Sequence, residues 1–150
     1  VDAITEIIQD YEGYIWVSGR GGLCRFDGHE FYQFPNDMEV SHSIRAERVV
    51  EVFEDSQHNI WVGTLQGGLK LLDRASGTFI DFANTDENKR VMSILEVVED
   101  QEGQIWVSSA KGLGKVDQEA QKIAYVPLSY HKAAPYISAI TTAESGQLWL

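Results

Sequence analysis

The chain has 150 residues, 43% hydrophobic and 23% charged, an ordinary profile for a soluble globular chain long enough to bury a core of its own. Its formal net charge of −11, from 23 acidic and 12 basic residues, argues against a nucleic-acid partner, which needs clustered Lys and Arg, and against an anionic membrane surface. Cys24 is the single cysteine, which excludes a disulfide framework and a cysteine-based metal site, and no apolar run approaches the roughly 20 residues of a membrane span.

The elements recur with a fixed period. Each unit opens on a short apolar run rich in β-branched residues, read as a strand: Ile4 and Ile7, then Val49 and Val52, Ile94 and Val97, Ile137 and Ile140. Each run leads into a tetrad: Asp10-Tyr11-Glu12-Gly13, Asp55-Ser56-Gln57-His58, Asp100-Gln101-Glu102-Gly103, or the fainter Ala143-Glu144-Ser145-Gly146. These predict tight turns, in which Asp accepts from turn N–H groups and Gly takes positive φ without steric cost. A second strand follows at 15–18, 60–63 and 105–108, carrying Trp16, Trp61 and Trp106; Trp149 holds the same place in the last copy, and the four lie 45, 45 and 43 residues apart.

Gly-rich turns then span 19–22, 63–68 and 109–112, third strands 23–27, 69–73 and 113–117, and fourth strands 31–34, 79–82 and 123–126. Longer polar connections at 35–43, 83–89 and 127–135 vary while the strands keep register, and variable loops are where a scaffold carries recognition. Residues 44–54 have some helical spacing, but their counterparts in the other units read as strand, so no helix is expected.

Four antiparallel strands per unit, each with one Trp and a Gly turn, predict an all-β fold, a β-propeller fragment of about three and a half four-stranded antiparallel blades. The units run at about 4–48, 49–93, 94–136 and 137–150, the last truncated. A start at Val1 without Met or a basic leader, and an end in mid-motif at Leu150, suggest a piece of a longer protein, so absent targeting signals carry no information on location. Closed propellers have about 4 to 8 blades. Either further blades lie outside this chain or copies of it associate through their open edges, two copies giving about seven blades.

The pattern of an apolar pair, Glu-Asp, and Gly-x-Ile-Trp-Val-Gly-Thr followed by Gly-Gly-Leu-x-x-Asp resembles the two-component regulator propeller repeat. The match is fullest over 49–73, with Glu54-Asp55, Ile60-Trp61-Val62-Gly63-Thr64 and Gly67-Gly68-Leu69. Ser41-His42-Ser43-Ile44 resembles the lead-in before many family repeats. Departures are Ser18-Gly19 and Ser108-Ser109 for Gly-Thr, His58-Asn59 in the second turn, and Ala143 for Asp. The resemblance implies the extracytoplasmic, periplasmic sensor region of an inner-membrane signalling protein of bacteria. Such proteins are often hybrid histidine kinases responding to carbohydrates, and sometimes GGDEF-type diguanylate cyclases; membrane and output parts would lie outside this chain.

No catalytic constellation is present: there is no nucleophile elbow, no phosphate-binding Gly loop and no His-Glu-x-x-His. Because Asp10, Asp55, Asp100 and Trp16, Trp61, Trp106, Trp149 recur, they read as turn-fixing and inter-blade packing residues, with a ligand-stacking role for the Trp set as the alternative. His29, His42, His58 and His131 occupy different repeat positions and read as solvated loop residues. No cofactor or metal is expected. Arg20, Gln66 and Lys111 stand at roughly equivalent turn positions and are polar where their surroundings repeat. They are candidate ligand-binding residues, with Tyr130, His131 and Tyr136 from a long loop; the alternative for each is a solvated turn residue. A sensor binding a small molecule or carbohydrate is the reading the family pattern favours. An interaction scaffold and a propeller lyase or glycosidase are the alternatives, since a fold does not choose among them.

Overall fold

The computed structural model describes residues 2–37, 39–40, 43–46, 48–82, 92–127, 137–143, 145 and 147–150. Strands β1 (Asp2–Gln9), β2 (Ile15–Arg20), β3 (Gly22–Phe26) and β4 (Phe31–Gln33) pair antiparallel in chain order. So do β5 (Arg48–Glu54), β6 (Ile60–Leu65), β7 (Gly68–Asp73) and β8 (Thr78–Phe82). A third set is β9 (Ile94–Glu99), β10 (Ile105–Ser109), β11 (Gly112–Asp117) and β12 (Lys122–Tyr125), followed by the pair β13 (Thr141–Thr142) and β14 (Leu148–Trp149). There is no helix among the described residues. The result is three four-stranded blades and the start of a fourth. A single bridge, Arg20 opposite Arg48, runs the ladders of the first two blades together into one eight-stranded sheet.

The first strands carry a feature that the sequence pattern hid. In each, the register against the second strand shifts by one residue: between Ile4 and Glu6, between Val49 and Glu51, and between Ile94 and Glu96, opposite Ser109 and Ser108. Such a bulge turns the strand so that residues three apart share a face. Val49 and Val52 therefore both meet Trp16 and Phe34 of the first blade, and Ile94 and Val97 both meet Trp61 and Phe82 of the second. Simple alternation would have split each pair. The same spacing of three is what gave 44–54 its helical look; residues 48–54 are strand β5.

The core lies between blades. Trp16 and Trp61 are wholly buried, each against the next blade's first and second strands. An indole hides roughly 200 Å², about 5 kcal/mol at the usual area coefficient. Trp106 repeats the arrangement against Ile137, Ile140 and Leu148. First strands of successive blades touch one another, which makes them the inner strands of the arc. At the two ends the same positions are exposed: Ile4 and Ile7 by 58% and 57%, and Trp149 by 62%.

One cation is buried inside a blade interface. Lys70 on β7 bonds Asp81 on β8, and Arg45 bonds the same carboxylate from the preceding connection. Burial pushes the Lys70 ammonium pKa down, while the Asp81 partner works against that fall.

Candidate functional site

The repeated Asp-Trp pair is a structural joint. Asp10 Oδ1 accepts from Glu12 and Tyr14 N–H (3.1 and 2.9 Å), and its Oδ2 accepts from Trp16 Nε1 at 2.9 Å. Asp55 does the same for Gln57, Asn59 and Trp61 (2.9, 2.8 and 2.8 Å), and Asp100 for Glu102, Gln104 and Trp106 (3.0, 2.9 and 2.7 Å). Burial opposes ionisation of Asp100, yet the donors from Trp106, Gln104 and Glu102 hold its pKa below the ordinary carboxylate value. Carboxylates so committed fix the turn and the indole that follows it. Two departures from the repeat are accommodated by the backbone at the residues concerned. His58 takes φ +66° where Gly13 and Gly103 take +88° and +79°. Ala143 N–H still bonds Gln147 O at 2.8 Å, as Asp10 N–H bonds Tyr14 O at 3.0 Å.

His58 is an exposed loop histidine, as expected, but it has partners in the protein. Its ring stacks on Tyr11 of the preceding blade at 3.9 Å, and its Nδ1 lies 3.2 Å from Glu54 Oε1. Arg74 completes this knot, donating to Asp10, Glu12 and the His58 carbonyl at 3.2, 2.8 and 3.1 Å. These contacts join the first two blades at the end bearing the Asp turns. The turn Asp carboxylate lies inside this network, and its oxygens are engaged by protein donors.

The opposite end, which bears the Gly-rich turns, holds the candidate site. A cavity of about 400 Å³ is lined by Ala3, Arg20, Arg48, Leu65 and Gln66, from the ends of β1, β2, β5 and β6 and the turn that follows β6. Arg20 and Arg48 are direct cross-strand partners. The turn geometry explains how Gln66 joins them. Thr64 pairs with Gly68 and its hydroxyl bonds the Gly68 carbonyl at 2.8 Å, leaving three residues at the tip. Gln66 takes φ +62° there, and its N–H is held by Ser93 Oγ at 3.1 Å. Gly67 is obligatory in this bend: a Cβ would lie 2.6 Å from Thr64 Oγ1 and 2.8 Å from Ala46 Cβ.

Two of the predicted residues, Arg20 and Gln66, thus line one cavity. Lys111 does not join them. Arg20 is the first residue after the paired Gly19, whereas Lys111 is the second after the paired Ser109, so the repeat positions differ by one. Lys111 N–H bonds Ser109 Oγ at 3.1 Å and its ammonium sits 4.9 Å from the centroid of Tyr125, on the outer strand of its blade. Tyr130, His131 and Tyr136 lie outside the described residues, as does His42. Sequence reasoning missed Arg48. It precedes Val49 as Ala3 precedes Ile4 and Ser93 precedes Ile94, and a cation in a column of small residues was the available signal.

Three antiparallel four-stranded blades, repeated every 45 residues and packed through their Trp faces, define the chain as an arc of a β-propeller. Residues 43–66, the lead-in and first half of the second blade, match the two component regulator propeller family. No curated protein sequence matches the chain. Among solved structures it is similar to the extracellular domain of the hybrid two component system BT3049 from B. thetaiotaomicron, with a TM-score of 0.80 at 23% identity over 97% of this chain. It is likewise similar to that of BT4673 from the same organism, with a TM-score of 0.78 at 21% identity over 97% of this chain. It spans only 21% and 22% of those two structures. Virginiamycin B lyase from Staphylococcus aureus is more distant, with a TM-score of 0.72 at 16% identity, covering 97% of this chain and 47% of the lyase. At these identities the likeness is one of fold.

Proposed function

We propose that this chain is part of an extracytoplasmic sensory β-propeller of a bacterial signalling receptor. It binds a small molecule or carbohydrate at the face bearing the Gly-rich turns and relays the event to an output domain outside this chain. The observation that carries this reading is the convergence of Arg20 and Gln66, from different blades, on one cavity whose walls are two sheet ends. The regulator-propeller match over 43–66 and the likeness to extracellular domains of two hybrid systems support the same assignment. A ligand bridging two blades would bind one inter-blade arrangement better than another, and that difference in affinity is what shifts an output equilibrium.

A lyase reading has less support. The cavity walls present no carboxylate, imidazole, hydroxyl or thiol among the described lining residues, so no general base or nucleophile faces the space. Cys24 lies elsewhere, buried, with its thiol pKa raised chiefly by that burial. The test is a transcriptional or kinase readout of the full-length protein. Arg20→Ala with Gln66→Ala is expected to raise the ligand concentration for half-maximal response about tenfold or more, from the loss of one charge-assisted and one neutral hydrogen bond. An unchanged response curve would remove the proposed face.

A further inference from the structure

Arg20 and Arg48 present an electrostatic anomaly. They face each other directly across β2 and β5, at the bridge where two blades run together. Like charges directly opposite in a sheet are destabilising. The chain carries a net charge of −11, so carboxylates are plentiful. Elsewhere the interfaces use them: Arg74 meets Asp10, Glu12 and Glu54, and Lys70 and Arg45 share Asp81. Neither Arg20 nor Arg48 forms an ion pair with any described residue. Asp2 is the backbone partner of Arg20 on the far side, yet it makes no ion pair with it. The remaining described walls are Ala3, Leu65 and Gln66, with no acid among them. Local rules broken in this way, without a compensating contact, mark functional positions.

We propose that this cavity takes the acid group of a small anionic ligand, a carboxylate or a sulfate. The two guanidinium groups grip the acid oxygens, and Gln66 donates from its carboxamide to a neighbouring oxygen. Arg suits the task because its planar fork matches a carboxylate or sulfate with two parallel hydrogen bonds, and it stays charged at any physiological pH. The acid also relieves the Arg–Arg repulsion, so it stabilises the bridge between blades that the empty pair weakens. The apolar wall of Ala3 and Leu65 borders the rest of the ligand. The inference rests on the sensory reading of this face and narrows the ligand class.

The experiment follows the arginine side-chain N–H signals of the isotopically labelled full chain by NMR. The probes are galactose, galacturonate and galactose 6-sulfate, which share a skeleton and differ in the group at carbon six. Both acids, or one of them, are expected to shift the Arg20 and Arg48 signals saturably, while galactose at equal concentration leaves them in place. Whichever acid binds identifies the source, carboxylate or sulfate. Arg20→Gln with Arg48→Gln is expected to weaken acid binding at least tenfold, and Lys122→Ala, on the outer strand of the third blade, to leave it unchanged. The double variant is also expected to melt no lower than the parent at low salt, since it removes a like-charge pair. Three results would overturn the proposal: galactose binding as well as the acids, no probe moving the arginine signals, or a double variant that melts lower than the parent. The two readings fail separately. Acid binding without any change in output sinks the sensory reading alone; output driven by a neutral ligand, with the arginine signals unmoved, sinks the anion assignment alone.

Discussion

At the residue scale the most informative group is the turn aspartate. Asp55 is buried and accepts from two turn N–H groups, from the Asn59 carboxamide and from the indole of Trp61, which is itself wholly buried. Removing the carboxylate strands several donors at once, and a buried donor without a partner costs about 1–3 kcal/mol. Asp55→Ala is therefore expected to destabilise by about 2–4 kcal/mol, measured by denaturant titration with tryptophan fluorescence as the probe. A loss below about 0.5 kcal/mol would show that the turn holds Trp61 without it. From residues alone, Asp55 as a turn residue was legible because it holds the repeat position of Asp10 and Asp100, which sit three before Gly. Its bond to a Trp six residues on was not, since that contact depends on how the turn folds the second strand back.

At the scale of the element, each inner strand grips the next. Glu54 accepts from Tyr11 N–H at 3.0 Å, and Glu99 accepts from Ser56 N–H and Oγ at 2.7 and 2.6 Å, the same contact one blade along. A second row lies just past the bulges: Glu96 accepts from the Ile140 N–H, and the Val97 N–H favours the charged form of Glu51 against the larger effects of its burial and its acidic neighbours. Glu51 faces Glu6 on β1 and Glu96 on β9, and its burial, followed by those two carboxylates, raises its pKa from an ordinary 4.5 to about 8. The native state thus keeps a proton that the unfolded chain releases. Its stabilising contribution is complete below about 4.5 and is lost as pH rises through about 8. Melting temperatures of the parent are expected to fall across that window relative to those of Glu51→Gln, which should show a flatter profile. Parallel profiles would place the proton elsewhere.

At the scale of the whole molecule, repetition leaves two unlike faces uncovered. Ile4 and Ile7 occupy the positions at which Val49, Val52, Ile94 and Val97 receive a Trp-bearing face, and Trp149 presents such a face to solvent. A heterologous contact between them repeats geometry already present inside the chain. The isolated 16.8 kDa chain is therefore expected to associate in light scattering, and Ile7→Lys to shift it toward monomer by placing a charge at the centre of the contact. A monodisperse monomer at high concentration would show that the bare faces do not recognise each other.

The period, the strand order, the turn chemistry and the inter-blade role of Trp16, Trp61 and Trp106 were all written in the residues, because a repeat states each local choice several times over. What tertiary structure alone decided was direction. The bulges put Ile94 and Val97 on one face and aim Glu51 at the next blade, an effect invisible to a period-two reading. Arg20 and Gln66 line a cavity between the first two blades, while Lys111 of the third blade lies over Tyr125. Arg48, marked in the sequence only as a cation in a column of small residues, becomes half of the candidate site because the packed blades bring it opposite Arg20. The recurrence of Asp10-Tyr11-Glu12-Gly13-Tyr14-Ile15-Trp16 marked a structural unit, though not the Asp–Trp bond inside it. The cavity could not be read in this way, since its chemistry depends on residues that differ from blade to blade and meet only across a blade boundary.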